Sequence, residues 1–300
     1  MRDQAENLRK MVQEKQNNSK SDSTSNSKSG AEKNSDSARI YTVTRGKGGV
    51  GKSNFTANLA LALQEKGKNV VLFDADLGMA NLDVILGLTP NYNLNHVISG
   101  KKTLSDIILK GPNDIHLIPG GSGIQELANL SRYQLNNLIS SWGDLGSEYD
   151  IILIDTGAGL SNIVINFVLA ADETLVISTS EPTSITDAYG VVKVLSQHEQ
   201  DLDMKLVINQ ATDKEGTKIA NRLTKTAREF LDLDIDLLGV LPEDRSVIKA
   251  VKKRSPFLLE YPKSKVAKKI RTLGAELIGK EQEDSTGFTG FLKDVFGFSK

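Results

Sequence analysis

A glycine-rich string separates a short β-rich run from the start of a helical pattern. The run ends at Thr44, and the string reads GKGGVGKS over residues 46–53, which fits the spacing G-x-x-x-x-G-K-[ST]. Glycines let the backbone curl so that successive N–H groups point at one anion, and the helix N-terminus adds partial positive charge. The sequence therefore predicts a phosphate-binding loop, although a glycine-rich turn without a ligand has the same composition. The residues predicted to hold a nucleotide here are Gly48, Gly49, Val50, Gly51, Lys52, Ser53 and Asn54.

Short β-rich runs alternate with helical patterns from residue 39 onward. This rhythm is typical of βαβ units and predicts an α/β fold, a doubly wound, mostly parallel sheet flanked by helices. Several runs end in Asp, Asn or Pro, and ligands of such sheets sit at the carboxyl ends of the strands. The predicted strands cover residues 40–44, 70–74, 115–119, 151–155, 174–178, 206–209 and 237–241.

Composition excludes several classes of site and location. The 300 residues include 37 basic and 38 acidic side chains and no cysteine. A disulfide framework, a thiolate zinc site, a cysteine nucleophile and a cysteine-ligated iron–sulfur cluster are therefore excluded. We expect a cytoplasmic protein, because no apolar run approaches the roughly 20 residues of a membrane span and no secretory signal is visible.

Two further strand ends carry carboxylates that suit a metal ion. The run 70–74 ends in Asp74, with Asp76 two residues on, and the run 151–155 ends in Asp155. Mg²⁺ prefers carboxylate oxygens and water, and the hydroxyl of Ser53 is expected to join them, while Lys52 contacts the β and γ phosphates. An aspartate at a strand end is by itself often only a turn or cap residue.

The loop contains a second lysine, Lys47, one residue after its first glycine. The string KGGVGKS resembles the deviant Walker A motif of the MinD/ParA family of dimerising ATPases. The resemblance implies ATP or ADP and Mg²⁺ as cofactors, Asp74 and Asp155 around the metal, and Asp76 orienting the attacking water. It also implies that Lys47 reaches the partner subunit's nucleotide in an ATP-bound homodimer, so that hydrolysis is slow and depends on dimerisation. The alternative is a solvated lysine on an exposed turn.

The same resemblance extends to the base side of the nucleotide and includes one departure. Asn209 closes the run 206–209, where family members present an amide to adenine. Pro242, Glu243 and Asp244 resemble the second base-side loop of the family. Gly157 stands where the family usually has proline, which puts the stiffness of that loop in question but not the metal ligand Asp155.

Composition also narrows the branch of the family. Iron–sulfur members need cysteines, and the tyrosine-kinase members carry a tyrosine-rich tail, whereas the last tyrosine here is Tyr261. Positioning ATPases remain, either ParA-like proteins that bind DNA or MinD-like proteins that bind membrane. A basic stretch, residues 249–271, carries nine basic residues and one acid. It could meet DNA phosphates, anionic lipid headgroups or only solvent.

The C-terminal segment, residues 281–300, favours the membrane branch over DNA. Its apolar residues recur with helical spacing and predict an amphipathic helix on an anionic membrane surface. The alternative is that this face packs on the protein's own core or on a partner. The predicted membrane residues are Phe288, Phe291, Leu292, Val295, Phe296 and, at the edge of the face, Phe298.

The N-terminus is similar to that of the FlhG family of MinD-like ATPases. Residues 1–16 are predicted to form a short helix, 17–38 a disordered linker and 39–280 the ATPase domain. The residues that match the D-Q-A-x-x-L-R stretch of that family are Asp3, Gln4, Ala5, Leu8 and Arg9.

The FlhG resemblance implies a function and several partners. The N-terminal segment of that family stimulates the signal-recognition-type GTPase FlhF, with Gln4 and Arg9 as the residues expected to act there. The resemblance implies control of flagellar number and placement, contact with flagellar switch (C-ring) proteins, and residence on the inner face of the cell membrane at poles or flagellar sites. The alternatives for the function are a ParA-type ATPase for DNA or cargo partitioning and a binding module that uses nucleotide only as a structural ligand. For the N-terminus the alternative is a generic helical tail whose polar residues face water.

Overall fold

The computed structural model describes residues 38–76, 81–121, 145–157, 159–199, 202–279 and 287–296, with the side chains of 287–289 left out. Residues 35–300 form one compact unit. The predicted N-terminal helix, its GTPase motif and all of the linker except Ala38 lie outside the described residues. So do Phe298 and the side chain of Phe288, and those predictions stay predictions.

One eight-stranded sheet forms the centre of this unit. All seven predicted strands are present, and their order in the sheet is β3-β4-β2-β5-β1-β6-β7-β8. The described strand that the sequence did not predict is β3, a two-residue edge strand that pairs antiparallel with β4. The strands are β1 (Arg39–Arg45), β2 (Val70–Ala75), β3 (Leu109–Lys110), β4 (His116–Pro119), β5 (Ile151–Thr156), β6 (Glu173–Thr179), β7 (Met204–Asn209) and β8 (Asp236–Val240).

Helices cover both faces of the sheet, which confirms the doubly wound α/β prediction. The described helices are α1 (Lys52–Gln64), α2 (Leu82–Leu86), α3 (Leu94–Ile98), α4 (Leu104–Ile107), α5 (Leu145–Glu148), α6 (Asn162–Ala170), α7 (Pro182–Ser196), α8 (Asp213–Leu231), α9 (Arg245–Lys252), α10 (Phe257–Glu260), α11 (Lys265–Gly279) and α12 (Gly287–Val295). None of the helices in these described ranges has the length and apolar character needed to span a bilayer.

Strand β5 shows why the core has two sides. Its apolar run is buried on both faces, as parallel strands inside an α/β protein usually are. Side chains alternate across a strand, so Ile151 and Leu153 enter the cluster that contains α1 and α11, whereas Ile152 and Ile154 enter the cluster that contains α6 and α12. Two helical layers therefore hold the central strands in register.

The strand order brings the predicted site residues to one edge. β5 lies between β1 and β2, and Asp155 is level with Val43 on one side and Asp74 on the other. The phosphate-binding loop leaves the carboxyl end of β1 next to them. In an open parallel sheet, such a crevice between strand ends is where ligands bind.

Helix α12 packs on the protein itself. Phe291, Leu292 and Val295 are at most 1% exposed, and the ring of Phe291 stacks on Phe167 of α6 with centroids 6.0 Å apart. The Asn166 side-chain amide donates to the Val295 carbonyl at 2.9 Å. The structure thus shows the alternative that the sequence left open, in which this face packs on the protein's own core. Membrane binding by these residues stays a prediction, because an amphipathic pattern specifies a buried face but not what covers it.

Candidate functional site

The phosphate-binding loop adopts a conformation that requires glycine. Gly49 and Gly51 have φ angles of 85° and 87°, in the left-handed region. A Cβ on Gly51 would also lie 2.5 Å from the side-chain nitrogen of Asn209, and a Cβ on Gly46 would collide with the backbone carbonyl of Asp187 in α7. Close backbone packing therefore fixes both ends of the loop, and Gly51 precedes the first turn of α1.

Lys52 and Asp155 form the buried centre of the site. Lys52 Nζ lies 2.6 Å from Asp155 Oδ1, and their side chains are 0% and 1% exposed. The hydroxyls of Ser53 and Thr56 each donate to the same carboxylate at 2.7 Å. The pairing offsets the cost of burying both charges. The carboxylate of β5 thus holds both Lys52 and Ser53, while their predicted contacts, Lys52 with phosphates and Ser53 with Mg²⁺, stay predictions.

Buried donors without a hydrogen bond cluster around the loop. Within the described part of the chain, these include Thr44 Oγ1, Arg45 Nε and Lys52 Nζ, whose contact with Asp155 is an ion pair without directed hydrogen-bond geometry. Buried polar atoms are normally satisfied, and exceptions often mark the place of a ligand. Of these donors, the Lys52 ammonium fits an anionic group such as a nucleotide phosphate.

Asp74 and Asp76 occupy different environments beside this centre. Burial raises the pKa of Asp74 to about 7, and the nearby Asp155 carboxylate adds to the shift. The backbone N–H groups of Asp76 and Leu82 both donate to Asp74 at 3.3 Å. Asp76 lies just beyond β2, and its Oδ2 is 3.5 Å from the guanidinium of Arg45. Sequence reasoning missed both Arg45 and Thr56 as neighbours of this site.

The donor set around Asp155 fits Mg²⁺. Ser53 contributes a hydroxyl, and Asp74 and Asp155 contribute carboxylates at one edge of the sheet, which are the hard oxygen ligands that this ion takes. Because Asp155 already pairs with Lys52 and accepts hydrogen bonds from Ser53 and Thr56, a metal-bound water suits it better than direct ligation. Bound Mg²⁺ would supply positive charge against the phosphate oxygens.

Lys47 points away from the buried centre. Its side chain is 42% exposed, and Nζ contacts Glu181 at 3.1 Å and the Thr183 hydroxyl at 3.0 Å, at the start of α7. The two lysines of one loop therefore have opposite surroundings. Lys52 faces Asp155 inside the protein, whereas Lys47 lies on the surface.

A cavity of about 260 Å³ lies beside the loop, on the side predicted for the base. It is lined by Gly49, Gly51, Asn54, Phe55, Asn209, Gln210, Leu241, Pro242, Glu243, Asp244, Val247, Ile248, Phe257 and Val266. Four predicted base-side residues thus share one cavity with the loop. Val247, Ile248 and Phe257 are lining residues that the sequence did not single out.

Two of these residues also have structural contacts. The Asn209 amide donates to the Val50 carbonyl at 2.8 Å, and its oxygen accepts from the Gln210 N–H at 3.0 Å. An amide has two donor hydrogens and two acceptor lone pairs, so half of its capacity remains for a base. The Asp244 carboxylate caps α9 by accepting from the Ser246 N–H at 2.9 Å. We therefore assign Asp244 to shaping the cavity wall.

Residues 41–257 match the model of the CobQ/CobB/MinD/ParA nucleotide-binding domain, which is more than half of the chain. The chain belongs to this family. It is an ATP-binding P-loop protein of the MinD/ParA type, which confirms the fold class and the resemblance carried by the KGGVGKS string.

Relatives with flagellar names are among the similar proteins. The chain is 43% identical over 230 residues to antiactivator FleN of Pseudomonas aeruginosa, covering 76% of this chain and 82% of the relative. It is 35% identical over 250 residues to flagellum site-determining protein YlxH of Helicobacter pylori, covering 82% and 84%.

Solved structures of the same fold include cell-division proteins. Septum site-determining protein MinD from Pyrococcus horikoshii, in complex with Mg-ADP, superimposes with a TM-score of 0.64 at 28% identity, covering 80% of this chain and 96% of that one. The MinC:MinD complex of Aquifex aeolicus gives a TM-score of 0.65 at 26% identity, covering 83% and 100%.

Proposed function

We propose that this protein is a slow, dimer-dependent ATPase switch that regulates flagellar number and placement. Two ATP-bound subunits would face each other across their nucleotides, and hydrolysis would release the dimer. The lifetime of the dimer, and not the amount of product, would carry the signal. Membership of the MinD/ParA family supports ATP hydrolysis. Dimerisation, membrane contact and stimulation of a partner GTPase are parts of the proposal.

The observation that carries the switch is the divergence of the two loop lysines. Lys52 is fully buried against Asp155 beside its own loop, which supports a role toward the phosphates that this loop would bind. Lys47 is exposed and held only at the start of α7 within the described contacts. A cation presented on the surface beside the phosphate site can reach a partner's nucleotide, where it would stabilise charge developing on the phosphates.

The flagellar role is supported by the names of two relatives, an antiactivator FleN and a flagellum site-determining protein YlxH. The N-terminal D-Q-A-x-x-L-R match supports stimulation of the GTPase FlhF through Gln4 and Arg9. Contact with C-ring proteins and placement at the inner face of the membrane complete the proposal.

Membrane binding requires helix α12 to leave its present position. Its buried face, Phe291, Leu292 and Val295, is the apolar face that a lipid surface would accept. One such helix would bind weakly, whereas the two helices of an ATP-bound dimer would bind much more tightly through effective concentration. We therefore propose that α12 packs on α6 off the membrane and inserts into lipid when ATP joins two subunits.

The basic stretch gives less support to DNA as cargo. Lys253 pairs with Glu260, Lys269 with Asp213 and Arg271 with Glu65. These pairs reduce the positive charge that the stretch offers to a polyanion. Salt-sensitive DNA binding that survives deletion of residues 288–298 would favour the alternative, a ParA-type partitioning ATPase.

A lysine substitution in the loop tests the proposed reaction. Lys47→Ala should bind ATP with wild-type affinity and lose the ATPase activity that rises with protein concentration, because the cation acting on the partner's nucleotide is gone. Titration calorimetry and phosphate release measure the two quantities. Lys66→Ala, an exposed lysine in the turn after α1, is the matched control and should behave as wild type. Wild-type turnover in Lys47→Ala would contradict the role in trans.

A further inference from the structure

Arg45 forms a largely buried ion pair with Asp76 at the edge of the sheet where the site lies. It is the last residue of β1, directly before the phosphate-binding loop, and its side chain is 11% exposed. A terminal guanidinium nitrogen is 3.5 Å from Asp76 Oδ2, and the Asp76 side chain is 8% exposed. Both members of the pair are therefore largely withdrawn from solvent at the edge where the site forms.

The contact between Arg45 and Asp76 reaches across strand β5. Arg45 ends β1 and Asp76 follows β2, and β5 lies between these strands. Neighbouring strands are about 4.8 Å apart, so the ends of β1 and β2 are separated by roughly 10 Å. Only a long side chain can bridge this gap, and the bridge crosses the carboxyl end of β5, where Asp155 stands level with Asp74.

The donors of Arg45 are not all used by the protein. Its Nε is buried and has no hydrogen-bond partner among the described residues. An arginine buried only for stability would normally have its donors satisfied. Beyond β2, the backbone N–H of Asp76 donates to Asp74 and fixes the main chain. The Asp76 side chain is contacted from the side by Arg45.

We propose that Arg45 is a positioning residue for hydrolysis, which holds the Asp76 carboxylate over the end of β5 so that it can orient the attacking water. This inference depends on the proposed ATPase function. In that reaction the water oxygen bonds to the γ phosphorus while the bond to the bridging oxygen of ADP breaks, and the proton of the water ends on inorganic phosphate. Arg45 contacts none of these atoms and acts through Asp76.

A double-mutant cycle tests the proposal on the full-length protein. Arg45→Ala, Asp76→Ala and the double variant are compared in kcat, KM and ATP dissociation constant. Misplacing a water-orienting group by about 1 Å costs up to roughly 100-fold, so Arg45→Ala should lose kcat on that scale while KM and ATP affinity change little. The double variant should be no slower than Asp76→Ala alone, and Arg45→Lys should recover a substantial part of kcat.

Arg39→Ala is the matched control. Arg39 also belongs to β1 and also pairs with a buried acid, Glu173 at 3.2 Å, but at the opposite end of the strand. Its loss should lower the thermal midpoint and leave kcat per folded molecule unchanged. If Arg45→Ala does not fold, Arg45→Lys decides the question, because its kcat should fall below wild type with ATP affinity retained.

Three results would overturn the proposal. Loss of ATP affinity in proportion to kcat would make Arg45 a phosphate ligand, and a double variant slower than either single variant would give Arg45 a role independent of Asp76. Wild-type kcat in Arg45→Ala would remove the role altogether. A wild-type protein that releases no phosphate at any concentration would instead contradict the proposed ATPase function.

Discussion

The phosphate-binding loop and helix α12 are both contiguous segments with strong sequence signals, but only the signal of the loop specifies one position in the fold. The loop curls through left-handed glycines at the end of β1 and brings Lys52 to Asp155. Helix α12 has the predicted amphipathic spacing, but its apolar face lies against α6 and not on the surface.

The difference comes from what each pattern encodes. The loop motif specifies backbone conformation and a chemical contact within a few residues, so local sequence is sufficient. An amphipathic pattern specifies only that one face avoids water, and packing against α6 satisfies this as well as a lipid surface does. A helix whose apolar face can be buried either against α6 or in a lipid surface is suited to moving between the two.

The largest effect is expected at the loop. Lys52→Ala should lower ATP affinity about 100-fold or more, since charge-assisted contacts to phosphates are each worth roughly 1.5–3 kcal/mol. Titration calorimetry with ATP and Mg²⁺ measures this. Affinity within twofold of wild type would show that the loop does not bind phosphate through Lys52.

The next effect concerns the place of α12 in the core. Phe291→Ala should lower the free energy of unfolding by about 3–5 kcal/mol, the usual cost of removing a buried phenylalanine ring, as measured by denaturant titration. Lys293→Ala, exposed on the same helix, is the control and should change it by less than about 0.5 kcal/mol. Equal, small effects in both variants would mean that α12 is not part of the core.

The smallest effect separates docking of α12 from stability of the core. Asn166→Ala removes the hydrogen bond to the Val295 carbonyl, which is worth about 1 kcal/mol. Hydrogen exchange of the amides in 287–296 should become severalfold faster without much change elsewhere. Asn162→Ala is the control, because Asn162 is exposed at the start of α6, the helix that also carries Asn166. It should leave the exchange of 287–296 unchanged. Unaltered exchange in Asn166→Ala would indicate that apolar packing alone holds the helix.

The sequence predicted most of the sheet because its central strands are long apolar runs between turn residues. It missed β3, since two residues carry no periodicity and the pairing of Lys110 with His116 depends on the neighbouring strand. It placed β8 within one residue at each end. Parallel strands buried on both faces are therefore the part of this fold that local sequence describes best.

The sequence did not predict the contacts of the site that join residues on different strands. Lys52, Ser53, Asp74 and Asp155 follow from the motif and from strand ends. The contact between Arg45 and Asp76 depends on β5 separating β1 and β2, which no local pattern reveals. The double use of Asn209, as a lining residue and as a donor to Val50, likewise appears only in three dimensions.

Sedimentation with vesicles of anionic lipid tests the central claim that one apolar helix serves as core in one state and as anchor in the other. Wild-type protein and a truncation ending at Asp284 are each mixed with ADP or a non-hydrolysable ATP analogue. Only the wild-type protein should pellet, and only with the ATP analogue. Equal pelleting of the wild type in both nucleotide states, or pelleting of the truncated protein, would contradict it.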